Sequence, residues 1–125
     1  MEKDDKLRYI AGILLIISAI THNIQLFVHG FSSHQIGAAL YGAAYGVLGI
    51  LLLKFKDNKI ILLIGIIFPT VGGILGVNRF FLMLNEENVI NYFIIFHVIV
   101  DIIVVPICIY LFLKLRKKEW FSEIL

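Results

Sequence analysis

A single cysteine, Cys108, excludes a disulfide within this chain. Charge is scarce as well. Asp, Glu, Lys and Arg make up 16% of the residues, against about 25% in an ordinary soluble domain. That scarcity excludes an extended solvated surface, and a net charge of only +2 gives no footprint for nucleic acid. Proline is rare too. Only Pro69 and Pro106 interrupt the long apolar stretches, so helices can run far. No HExxH or CxxC motif occurs, so no dense metal-ligand spacing is present.

What fills the chain instead is apolar sequence in long blocks. Four blocks run approximately over residues 9–28, 35–53, 60–84 and 89–113. Each approaches the roughly 20 residues that carry a helix across a bilayer. In lipid every backbone group must be bonded internally, so helices are expected. The fold class predicted is an all-α integral membrane protein: an antiparallel four-helix bundle forming a single domain over 1–125. The first block follows a mixed-charge start and lacks a small-x-small cleavage site, so it reads as a retained helix.

Basic residues give the expected topology. Lys3, Lys6 and Arg8 precede the first span, and Lys54, Lys56 and Lys59 separate the second from the third. Lys114, Arg116, Lys117 and Lys118 follow the fourth, opening a basic tail over 114–125. The two other connections, "HGFSSHQ" and "NEEN", hold no Lys or Arg. The positive-inside rule then predicts a multi-pass protein of the cell membrane with both termini cytoplasmic. The tail either continues the last helix or lies along the headgroups, with Trp120 and Phe121 at the inner interface. Tyr92, Phe93 and Phe96 suit an outer aromatic belt.

Polar side chains inside the spans carry the functional signal. "FHVIVDIIVVPIC" (Phe96 to Cys108) is lipid-soluble except for His97 and Asp101, four residues apart. On a helical wheel His97, Asp101, Val104 and Cys108 share one stripe. Ser18, His22, Gln25 and His29 share another in the first span, and Gly65, Pro69, Gly72, Gly76 and Arg79 a third. Ala38, Gly42, Gly46 and Gly49 line up in the second, with Tyr41 and Tyr45 beside them. At 1.5 Å per residue, His22, Tyr41, Arg79 and His97 fall in one layer roughly 7–12 Å below the outer surface, with Asp101 deeper. Ionisable groups in spans usually face the bundle interior. The predicted ligand-binding set is therefore His22, Gln25, Tyr41, Tyr45, Arg79, His97 and Asp101, in a polar pocket in the outer half. Asp101 either orients His97 or pairs with Arg79, and Arg79 otherwise snorkels to the headgroups.

The pocket's chemistry stays open at this level. The leading expectation is binding, with or without transport, of a small ligand or ion. His22, His29, His97 and Asp101 are suitable ligand types for a transition metal. His22 and His97 on facing helices are a candidate axial pair for haem b. The glycine stripes either pack helices closely or make room for a flat ligand, and Pro69 is expected to kink its helix and free a carbonyl near the cluster. A proton path is weakened by an inner half almost devoid of ionisable groups. Catalysis has little support. Ser18 and Ser32 lack a nucleophile's context, which leaves His97 oriented by Asp101 as the acid–base candidate. The alternative from another class is an accessory subunit of a larger membrane complex, or a homo-oligomer, with Asn23 and Asn78 turned outward as contacts.

Span count and size resemble small four-helix membrane proteins such as the DoxX-like group in outline, without a shared motif. Small multidrug transporters are similar in length but carry a glutamate in the first span, where this chain has no carboxylate. Vitamin K epoxide reductase-like proteins use a CxxC pair that is absent here.

Overall fold

The computed structural model describes residues 1–125 and contains four long helices: α1 (Lys3–His29), α2 (Ser33–Lys54), α3 (Lys59–Leu82) and α4 (Tyr92–Ile124). Each is long and apolar enough to cross a membrane. The helices begin where polar side chains can bond free backbone N–H groups. Ser32 accepts from Gln35 N at the start of α2, and Asn58 from Ile61 N at the start of α3. Asn91 accepts from both Phe93 N and Ile94 N. That cap sets the start of α4 at Tyr92, three residues after the predicted 89. α3 runs on into a π-helical turn, Met83–Glu87, which Asn88 closes in the left-handed conformation at φ 53°. The tail continues α4 as one helix. At 33 residues α4 is about 50 Å long, more than one bilayer core requires.

The helices pack in a ring in which each touches the next and α4 returns to α1, with the α2–α3 seam the sparsest. Both chain termini lie at one end. There Lys114 bonds Asp4, and Lys59 meets Glu119 at 2.5 Å. Leu15, Leu48, Leu52, Leu62, Val100, Val104 and Cys108 form a buried core together with the ring of Tyr45. Ile13, Ile20, Leu40, Ile50, Ile67, Ile74 and Ile102 point outward and are exposed. In water that apolar surface would be an aggregation hazard. Such a surface is consistent with a multi-pass membrane protein.

Close packing at small residues brings the helices together. At the α1–α2 crossing, a Cβ on Gly49 would lie 2.6 Å from the Gly12 carbonyl oxygen, and one on Gly12 would lie 2.9 Å from that of Gly49. On α3, a Cβ on Gly65 would meet Cys108 Sγ at 2.8 Å, so Cys108 is a packing residue.

Arg8 does more than flank the first apolar block. It is buried, and its guanidinium donates to the carbonyls of Leu52 at 2.5 Å and Leu53 at 3.0 Å. Asp5 holds the other nitrogen at 3.3 Å. A cation therefore sits on the last carbonyls of α2, where the helix dipole favours it. Arg8→Ala is expected to cost about 2 kcal/mol, a charged hydrogen-bond set lost from a buried site. Thermal unfolding in detergent should show that loss, with Arg8→Lys recovering only part of it because ammonium lacks the planar fork.

Candidate functional site

The half of the bundle away from the termini is built differently. There α1, α2, α3 and α4 enclose a cavity of about 320 Å³, within the range of small-molecule pockets. All seven predicted pocket residues, His22, Gln25, Tyr41, Tyr45, Arg79, His97 and Asp101, line it. Helical periodicity places them there: each occupies the inward stripe of its own helix, with Asp101 deeper than Arg79.

The floor centres on Asp101. Its Oδ1 accepts from the Tyr45 hydroxyl at 2.7 Å, and both residues are buried. This bond crosses the bundle from α2 to α4. Tyr41 lies above, donating to the Phe68 carbonyl at 2.6 Å with its ring stacked on that of Phe68 at 4.0 Å. The tyrosine thus docks beside Pro69. The proline leaves the Gly65 carbonyl without its usual helical donor, yet Tyr41 bonds Phe68 instead.

One wall is a histidine stack. The rings of His22 and His97 lie 3.5 Å apart between centroids and 10° from parallel. His22 Nδ1 donates to the Ser18 carbonyl at 2.8 Å, which anchors the ring to α1. His97 Nε2 bonds Thr21 Oγ1 at 2.7 Å. Thr21 also reaches the Ser18 carbonyl at 2.9 Å. Both histidines are thus tied to α1 through Ser18, which is fully buried.

These partners correct two expectations. Asp101 does not orient His97, although they share a stripe. His97 turns to adjacent α1, and Asp101 reaches across the bundle to α2, because each finds its partner on a different helix. Nor does Arg79 pair with Asp101. Its one carboxylate neighbour is Glu87, 4.0 Å away on the π turn, while its Nε is buried without a partner.

The histidine stack also bears on cofactors. Two axial imidazoles must point ring nitrogens at an iron from opposite sides of a porphyrin. Rings in face contact leave no space for that plane, so this arrangement does not fit haem b. The metal candidates do not converge either. No three His, Cys, Asp or Glu side chains come together in metal-ligating geometry. His29 stands apart, exposed, with its ring edge-on to Phe93 at 5.9 Å.

The glycines make room, though not for a flat ligand. A Cβ on Gly42 would clash with the His22 side chain, and one on Gly72 with the Tyr45 hydroxyl. Each glycine thus seats a polar side chain of the site itself. Sequence reasoning passed over other lining residues, Ser33, His34 and Gln35 at the start of α2 and Asn91 at the start of α4, and also Thr21, which holds His97 from outside the lining. The polar loop "HGFSSHQ" held the signal for the first three. Thr21 had none, since a threonine in a helix usually bonds its own backbone.

No family model matches the chain, and neither a curated protein nor a solved structure matches it.

Proposed function

We propose that this chain is a multi-pass protein of the cell membrane, with both termini cytoplasmic, that binds a small polar ligand in the outer half of its bundle. Ten of the eleven Lys and Arg residues lie at the ends of the helices nearest the termini, which supports that orientation. The observation that carries the binding reading is the cavity itself: about 320 Å³, lined from all four helices by polar and ionisable side chains that include His22, Tyr45, Arg79, His97 and Asp101. Polar groups inside a span are costly, and they are retained chiefly where they act. The sparse α2–α3 seam supports a side entrance from the bilayer.

An apolar core that includes Leu15, Leu52, Val104 and Cys108 lies beneath the cavity, so the reading is a pocket open at one side rather than a continuous channel. Transport would require the helices to rearrange around it.

A second reading rests on Asn78, an amide on the outer face of α3. Lipid cannot satisfy it, whereas a neighbouring helix can, as in an accessory subunit or a homo-oligomer. Asn23 needs no such neighbour, because its amide donates to the Ala19 carbonyl at 2.9 Å.

One experiment separates the two. Native mass spectrometry of protein released from lipid nanodiscs should show wild type with a non-covalent small-molecule adduct that Arg79→Ala loses. Identical adduct patterns in both proteins would sink the pocket reading. The same spectra give the oligomeric state, and a bare monomer would remove the subunit reading.

A further inference from the structure

The cavity holds two opposite charges that do not meet. Asp101 lies at its floor, where Tyr45 is the one donor bonded to its carboxylate. Arg79 lies nearer the loop end, its guanidinium 4.0 Å from half-exposed Glu87 and its Nε without an acceptor. The separation can be read along α3. Gly73 lies against Asp101, since a Cβ there would be 3.4 Å from Oδ2. Arg79 is six positions further along the same helix, about 9 Å of rise. On the α3–α4 side the wall is glycine and apolar, with Gly72, Gly76, Leu75, Ile94 and Val98, while His22, Tyr41 and His97 line the rest.

Unlike charges held apart in a low-dielectric bundle forgo a strong attraction. A molecule carrying both charges restores it. Its anionic group meets Arg79, its ammonium meets Asp101 Oδ2, and its short carbon chain lies along the glycine wall. A simple anion gains Arg79 but meets the Asp101 carboxylate. A simple cation gains Asp101 but meets Arg79. We infer that the cavity selects a zwitterion, an ammonium and an anionic group separated by a few atoms. This inference rests on the cavity being a ligand site, and it names the class of ligand. The chemistry has two sources. One is the phosphoethanolamine headgroup of a bilayer lipid, admitted through the α2–α3 seam. The other is a free amino-acid-like zwitterion, admitted past Ser33, His34 and Gln35.

The test uses full-length protein in nanodiscs of phosphatidylglycerol alone, titrated calorimetrically with three probes: phosphoethanolamine, inorganic phosphate and ethanolamine. Phosphoethanolamine is expected to bind at least about tenfold more tightly than either single-charge fragment. Arg79→Gln and Asp101→Asn should each erase that preference. Asp101→Asn keeps an oxygen for Tyr45, so the floor stays bonded while its charge is lost. Phosphate binding as tightly as phosphoethanolamine would overturn the zwitterion and leave the pocket reading standing. So would a preference that survives Asp101→Asn. Failure of all three probes would overturn the inference too, and the adduct comparison above would then judge the pocket independently. Two further arms distinguish the sources. Phosphatidylethanolamine added to the disc should compete with soluble phosphoethanolamine if the lipid is the occupant. Tight binding of 4-aminobutyrate, unaffected by that lipid, would assign the site to a free zwitterion.

Discussion

Gly49→Leu is expected to cost about 3 kcal/mol or more, the largest loss of any single change considered. The reason is what the new side chain would meet. A Cβ at position 49 lies 2.6 Å from the Gly12 carbonyl oxygen, 2.9 Å from Ile16 Cγ1 and 3.2 Å from Ile16 N. Two of these are backbone atoms of α1 and cannot rotate away. The helices must move apart, and the crossing between them is the most extensive contact in the bundle. The damage would also travel. α1 carries His22 and Thr21, and through Thr21 it holds His97. Thermal unfolding in detergent checks the prediction, with Gly37→Leu as the control, because a Cβ there meets nothing within 4 Å. Equal effects at the two positions would show that the α1–α2 crossing is not the close contact described.

The second large effect is expected at the floor of the cavity. Tyr45→Phe removes the one donor to Asp101 Oδ1 and leaves a buried carboxylate with an unsatisfied oxygen. The expected cost is about 2–3 kcal/mol, the range for a lost hydrogen bond to a charged group. Tyr41→Phe provides the contrast. Its hydroxyl bonds a neutral carbonyl, so about 1 kcal/mol is expected. If Tyr45 and Asp101 act as a pair, adding Asp101→Leu to Tyr45→Phe should recover part of the loss, since two apolar groups leave nothing unsatisfied. A double-mutant cycle in detergent measures that coupling. Strict additivity would mean the bond contributes nothing, and the site would then have to be rebuilt around other contacts.

Much of this architecture was legible in the sequence because long apolar blocks and helical geometry leave few choices. Apolar block length gave four helices, and 3.6-residue periodicity put His22, Gln25, Tyr41, Tyr45, Arg79, His97 and Asp101 on inward faces. Rise per residue put His22, Tyr41, Arg79 and His97 in one layer, with Asp101 deeper. Those rules act within one helix, and the seven residues duly line one cavity.

Tertiary structure alone decided which side chain answers which. A hydrogen bond is made or lost over a few tenths of an ångström, whereas a wheel places a residue only to within a helix face. The rotation and offset of each helix against its neighbours come from glycine contacts such as Gly12–Gly49 and Gly42–His22. Those contacts set His97 on Thr21 and stack His22 on His97. They set Asp101 on Tyr45 and leave Arg79 with Glu87. Arg8 shows the same division. Sequence marks it as a flanking positive charge, and only the packing of α1 against the end of α2 makes it the cap on the Leu52 and Leu53 carbonyls.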